Sequence, residues 1–357
     1  MALSTALLAG LYQRPMGLEV FAKSQADQGK YAGKVLAGKY LLTQTLGEGG
    51  EGVIYGGHLR YDPGQIYAFK VGYSEALDGF GGDELPLDPI LREHEVLRSL
   101  HGHYVPKAVE SGLTSAGYPF AVRELLPGMS LAKLLKRSPV PSFPNALVVG
   151  KALCSAVRSV HEQGMLHRDI KPGNIVVAPS IDQEISLKLI DFAAGCQDGS
   201  EAYEDGVAPL GTPAYMSPER ARGELAGMAG DLYSVGAILY ELFTGKAILG
   251  PDAWNMETAR NILASDAAIP ATPVQTYRPD IPPELSHAIN RMVSRDPEDR
   301  TVQLSELEML LSVYLRKDQI DSSWFALPRR KTSQITALPQ PSLWETLSDK
   351  IKGWFGR

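Results

Sequence analysis

A change of hydrophobic period near Pro127-Gly128 limits what this 357-residue chain can fold into more than any other feature. Upstream, Tyr40-Leu-Leu-Thr-Gln-Thr-Leu46 alternates as a strand does and is followed by a glycine cluster. Val53-Ile-Tyr then resumes a strand, and Ile66-Tyr-Ala-Phe-Lys-Val71 reads as a third. Residues 73–86, rich in glycine and acids, read as an exposed loop. Ile90, Leu91, Val96, Leu97 and Leu100 then recur at helical spacing, before two further strands around Ala108–Gly112 and Phe120–Glu124. Downstream the pattern is helical. Ala146–Gln163 is amphipathic, and Leu285–Val293 and Leu304–Leu315 are later helices. Asp231–Thr244 is apolar on nearly every side, which predicts a buried central helix. A strand-rich first third joined to a helical remainder is an α+β layout of two lobes, about 38–126 and 127–316, with a natural ligand cleft at their junction.

Composition removes some function classes. The formal net charge of −6 provides no global basic field, so no nucleic-acid partner is expected. Two cysteines, Cys154 and Cys196, make no disulfide framework and fit a reducing compartment. No apolar run is long enough to span a bilayer, and the apolar start Met1–Tyr12 lacks the basic region of a secretion signal, so a cytoplasmic protein is expected. Residues 1–37 form an extension without clear periodicity, either disordered or a short helix on the domain. Residues 317–341, Pro- and Ser-rich from Asp321, read as a linker. In 342–357, Leu343, Leu347, Ile351 and Trp354 recur at helical spacing, with Lys350, Lys352 and Arg357 elsewhere on the surface. Such an amphipathic helix suits a membrane surface, a partner protein or its own lobe.

The glycine cluster Leu46-Gly47-Glu48-Gly49-Gly50-Glu51-Gly52-Val53-Ile54-Tyr55 contains GxGxxG, a weak signal that dinucleotide-binding loops share. A dinucleotide loop opens a helix, whereas here a β-branched, aromatic run follows. The expected geometry is strand–loop–strand, a lid whose backbone N–H groups approach phosphate without an intervening Cβ. Lys70 lies in an otherwise apolar strand, where burial without a counter-charge is costly. It either points to solvent from an edge strand or pairs with phosphates and an acid on the next helix. Glu93 and Glu95 are the candidates, and Glu93 fits better because Leu97, four residues on, gives that face a buried neighbour.

Six landmarks then follow in order. They are His167-Arg-Asp169-Ile-Lys171-Pro-Gly-Asn174; Asp191-Phe192-Ala193 after the strand Leu187-Lys-Leu-Ile190; Gly211-Thr-Pro-Ala-Tyr-Met-Ser-Pro-Glu219; Asp231 in the buried helix; and Arg300 in Asp296-Pro-Glu-Asp-Arg-Thr, with the glycine loop ahead of them all. Across about Tyr40 to Leu315 the chain resembles the eukaryotic-like (Hanks-type) serine/threonine protein kinases. The resemblance implies a bilobal kinase-like fold, ATP and Mg2+ as cofactors, and a protein substrate.

Carried over residue by residue, it implies that Asp169 orients or deprotonates the acceptor hydroxyl and that Lys171 neutralises the migrating phosphoryl group. Asn174 and Asp191 would hold the metal ions through oxygen ligands. Leu46, Gly47, Gly49 and Gly52 would cover the nucleotide, and Lys70, fixed by Glu93, would steady its phosphates. Ile54 and Ala68 would line the adenine ring, while Glu124, Leu125 and Leu126 would form the hinge that bonds adenine through backbone groups. Glu219 and Arg300 would form a buried ion pair, Asp231 would cap backbone near His167 and Arg168, and Thr212 would bridge Asp169 and Lys171. Lys171 and Thr212 resemble the serine/threonine branch.

A pseudokinase scaffold is the rival reading, and it usually lacks one of Lys70, Asp169, Asn174 and Asp191, all present in this chain. A small-molecule kinase is disfavoured by the complete segment 211–219. Three departures stand out. Arg123 precedes the hinge where a medium-sized apolar residue is usual, Ala193 replaces a glycine, and Glu48 and Glu51 put negative charge near the phosphates, unless both face solvent. In the segment after Cys196, acids at Asp198, Glu201, Glu204 and Asp205 accompany the hydroxyls of Ser200 and Tyr203. One of the acids could replace a phosphate opposite Arg168. His101-Gly-His103 reads as a turn, not a metal site.

Overall fold

The computed structural model describes residues 33–73, 88–180, 185–198, 213–250, 272–316 and 319–326, with a few single positions between 257 and 265. The expected extension, most of the linker, the tail helix, Thr212 and the acids after Asp198 lie outside the described residues. So does the acidic loop 74–87.

The first lobe is a six-stranded antiparallel sheet, built from β1 (Val35–Leu36), β2 (Tyr40–Glu48), β3 (Gly52–Leu59), β4 (Asp62–Gly72), β5 (Ala108–Leu113) and β6 (Pro119–Glu124), in the order β1-β2-β3-β4-β6-β5. Alternation sorts its side chains. Tyr55, Phe69, Val71 and Val122 join Tyr40, Leu42 and the fully buried Leu36 in a separate core on one face. Leu36 shows that the sheet begins just inside the stretch read as an extension. The register pairs Ile54 with Lys70, Lys70 with Ala121 and Ala68 with Arg123, so these side chains share the opposite face. Against the sheet packs α1 (Pro89–Ser99), started by Asp88, whose side chain accepts the Ile90 N–H.

In the second lobe, β7 (Met129–Ser130) leads into α2 (Leu131–Arg137), and α3 (Phe143–His161) is capped by Ser142. β8 (Met165–Leu166) precedes the segment 167–174, which runs into β9 (Ile175–Pro179) and its antiparallel partner β10 (Ile185–Leu189). β11 (Cys196–Gln197) pairs back to β8. The remaining helices are α4 (Pro218–Ala221), α5 (Met228–Thr244), α6 (Val274–Tyr277), α7 (Pro283–Met292) and α8 (Leu304–Tyr314). As its all-round apolarity predicts, α5 is central: Tyr233, Val235, Ile238, Leu239, Leu242 and Phe243 are all 0% exposed. Gly236 lets α7 approach closely, since a Cβ there would stand 2.7 Å from that of Met292.

Part of the expected linker packs. Trp324 and Phe325 enter the core of the second lobe, and Arg137 donates to the Trp324 and Ala326 carbonyls. Asn145 exchanges two bonds with the Asp321 backbone, of 3.1 and 3.0 Å. Two aromatic side chains override the loop character of their neighbours because burying them outweighs ordering a few residues. Among the described residues no helix is long and apolar enough to cross a membrane.

Candidate active site

Two strained residues mark the catalytic segment. Arg168 and Asp191 have φ of 64° and 69°, a region costly for side chains other than glycine, so each must be held there by its surroundings. Asp231, buried at the start of α5, does this for the first. Its carboxylate accepts the His167 and Arg168 N–H groups at 2.9 Å each, and His161 Nε2 lies 2.9 Å away. Burial would push the Asp231 carboxyl up, but the contacts with His161 and His167 outweigh it and hold it below its ordinary value. Asp191 is followed by Phe192, whose buried ring packs 4.4 Å from that of His167. Ala193 is not among the non-glycine residues with positive φ (Ala37, Arg168, Asp191), so its methyl group sits there without backbone strain.

Around this frame the polar side chains converge. Lys171 Nζ donates to Asp169 Oδ2 at 2.7 Å, and Asn174 Nδ2 donates to the same oxygen and to the Asp169 carbonyl, each at 2.9 Å. Asp169 Oδ2 thus accepts from two side chains at once. From the sheet, Lys70 donates to Glu93 Oε2 at 2.8 Å and approaches Asp191 Oδ1 to 3.8 Å. The lobes therefore meet at Lys70 and Asp191. Glu95 instead pairs with exposed Arg98 in its own helix, which leaves Glu93 as the partner.

Two contacts escape the sequence. Glu51 does not simply face solvent: it turns inward from the glycine loop and accepts from Lys70 at 2.5 Å. Arg123 donates to the second Glu93 oxygen at 2.6 Å, so the oddity before the hinge is a cation paired to α1. Burial alone would lower the Lys70 pKa, but Glu93, Asp191 and Glu51 outweigh it and carry it up to about 12. Burial likewise opposes the charge of Glu93, and Arg123 and Lys70 reverse this, holding its carboxyl below the ordinary range. Glu51, Glu93 and Asp191, three acids whose carboxylate oxygens lie within 4.8 Å of one another, enclose this lysine. His101 and His103 form a turn through Gly102, with φ of 110°.

The expected nucleotide-lining residues flank the same opening. Leu46 and Ile54 border the loop, and Ala68 lies one alternation from Lys70 on β4. Glu124 ends β6, its N–H committed to the Lys107 carbonyl at 2.9 Å and its carboxylate accepting from Lys188, and Leu126 follows just beyond. Gly47 and Gly49 have open space where a Cβ would stand, whereas Gly52 does not, since a Cβ there would meet the Val71 carbonyl oxygen at 2.3 Å. Backbone cannot yield as a side-chain tip can. Gly52→Ala is therefore expected to cost about 1–3 kcal/mol, seen as a lower unfolding midpoint, whereas Gly49→Ala leaves that midpoint near wild type.

A cavity beside the catalytic-loop motif is bordered by Asp169, Lys171, Tyr215, Met216, Ser217 and Arg220. Beneath it Glu219 and Arg300 form a bidentate pair of 2.7 and 2.8 Å, with side chains 3% and 0% exposed.

The sequence profile of the protein kinase domain matches residues 40–311, and the chain belongs to that family. Members of the family use ATP and a divalent metal and act on proteins. Among curated relatives, the serine/threonine-protein kinase pkn3 of Myxococcus xanthus is 30% identical over 346 residues, covering 92% of this chain and 60% of the relative. PknL of Mycobacterium tuberculosis is 30% identical over 270 residues, 74% of this chain and 63% of that protein. A probable serine/threonine-protein kinase, PknB of Bifidobacterium longum, is 27% identical over 290 residues, 78% and 40% of the two chains. The chain thus spans less than two thirds of the length of these relatives.

Proposed function

We propose that this chain is an ATP-dependent serine/threonine protein kinase, transferring the γ-phosphate of Mg-ATP to serine or threonine hydroxyls of protein substrates. The observation carrying this reading is the meeting of Lys70 and Asp191 at 3.8 Å across the lobes, beside an Asp169 held by Lys171 and Asn174. Phosphoryl transfer asks little covalent work of a protein, so alignment and charge neutralisation supply the rate. Asp169 accepts the acceptor hydroxyl's hydrogen bond and aims its oxygen at phosphorus, and Lys171 offsets charge on the phosphoryl group as it moves. Lys70 steadies the nucleotide phosphates under the lid of Gly47, Gly49 and Gly52. Leu46, Ile54 and Ala68 enclose adenine, and the backbone of Glu124 and Leu126 bonds its edge.

The donor set fits magnesium. With its amide nitrogen committed to Asp169, Asn174 would offer its own Oδ1, and Asp191 adds a carboxylate, both hard oxygen ligands. Bound there, the cation would neutralise phosphate charge. The four groups a pseudokinase tends to lose are all in place, and the cavity over Met216 and Ser217 suits an extended peptide.

Incubating the chain with γ-labelled ATP and a generic protein acceptor tests the reading. Label is expected on serine or threonine, and a chelator of divalent cations should remove it. Transfer solely to tyrosine, transfer that survives chelation, or no transfer at all would overturn the proposal.

A further inference from the structure

Two cations and three carboxylates crowd the inner end of the cleft, and their sharing is uneven. Lys70 faces Glu51, Glu93 and Asp191 at 2.5, 2.8 and 3.8 Å. Arg123, its side chain 11% exposed, makes a 2.6 Å contact with the other oxygen of Glu93. Glu93 is the most buried of the three acids, its side chain 3% exposed against 36% for both Glu51 and Asp191. A carboxylate this buried depends on its partners, because removing one leaves uncompensated charge in a poorly solvated place.

Without nucleotide, Lys70 is divided between Glu93 at 2.8 Å and Glu51 at 2.5 Å, which weakens its hold on Glu93. Among the described residues the ion pair of Arg123 is with Glu93. The arginine projects from β6, fixed in register beside β4 with Ala68 opposite it, and grips the oxygen that Lys70 does not use. Its planar guanidinium also presents its donors in a fixed fork that suits a carboxylate. The helix carrying Glu93 needs such a hold. Of the four buried residues in α1, Ile90 and Leu97 are apolar and Glu93 and His94 are not, so apolar packing alone anchors it thinly.

We infer that Arg123 is a positioning residue, a fixed second cation that keeps Glu93 and α1 docked on Lys70 whether or not nucleotide fills the cleft. This rests on the kinase reading above and adds a specific consequence. If α1 stays docked without ligand, ATP binding carries no cost for assembling the site. If loss of Arg123 reduced the docked fraction to about a tenth, apparent nucleotide affinity would fall about tenfold while the saturated complex stayed competent. Loss of Arg123 should therefore appear in KM and spare kcat.

The test compares the full chain with Arg123→Met, Arg123→Gln and Arg123→Lys, measuring kcat, KM for ATP, and hydrogen exchange of α1 amides with and without Mg-ADP. For Arg123→Met we expect KM to rise about tenfold with kcat within about twofold of wild type. We also expect α1 amides to exchange faster in the free protein and to recover protection when Mg-ADP saturates. Arg123→Lys should restore most of both. If Arg123→Met does not fold, Arg123→Gln, which keeps polarity and removes charge, carries the same expectations. Wild-type KM and α1 protection in the neutral variants would overturn the inference, as would a fall in kcat at unchanged KM or no rescue by lysine. Should the wild type transfer no phosphate, the kinase reading fails by itself, and the exchange measurements still decide whether Arg123 holds the helix.

Discussion

Asp169→Asn is expected to lower phosphoryl transfer by about 10²–10⁴-fold, the range a positioned acid–base group contributes, with ATP affinity nearly unchanged. Asparagine has the size of aspartate but no charge, so it can neither take a proton nor attract the acceptor hydroxyl as strongly. It also presents an amide nitrogen where Lys171 Nζ and Asn174 Nδ2 now find an oxygen, so one donor faces another unless the side chain turns away from the acceptor. Lys70, Glu93 and Arg123 lie outside that set, and nucleotide binding should persist. Steady-state transfer and a separate nucleotide-binding titration distinguish the two effects. Transfer within a few-fold of wild type would remove Asp169 from the chemistry, and lost binding would make its role structural.

The largest effect on stability is expected at the pair beneath the acceptor cavity. Arg300→Met strands the Glu219 carboxylate at 2% exposure and removes the guanidinium bonds to the carbonyls of Ala229, Ser294 and Arg295. Breaking one side of such a pair costs about 3–5 kcal/mol, which for a domain of this size lowers Tm by about 5–9 °C. Glu219→Leu combined with Arg300→Met should recover part of the loss, because no buried charge then lacks its partner. Thermal unfolding of the two single variants and the double variant measures the coupling. Additive losses would mean that the two charges do not compensate one another and that the pair contributes only bulk. The same segment, Pro218–Ala221, ends at the cavity floor, so acceptor KM should worsen along with stability.

Much of this architecture is legible in the sequence alone. Strands β2, β4, β5 and β6 and helices α1, α3, α5 and α8 fall within a few residues of where periodicity predicts them, because each buries one continuous stripe or face. The short helix α2 and the strand β1 are not, since seven and two residues carry too little periodicity to stand out. Choosing Glu93 over Glu95 also follows from sequence, since helical spacing sets which side chain shares a face with Leu97.

What the sequence by itself determined is the set of elements and their chemistry: the glycine lid, the lone lysine in an apolar strand, the aspartate-centred catalytic segment and the central helix, all written in local spacing. What only the tertiary structure decided is which charges meet. Arg123 reaches Glu93 because β6 lies beside β4, and Glu51 reaches Lys70 because the glycine loop folds inward. Trp324 likewise joins the core with its carbonyl bonded by Arg137, 187 residues back along the chain. Coulomb attraction and burial depend on distance in space, and separations of 19 to 187 residues leave no periodic trace from which that distance could be read.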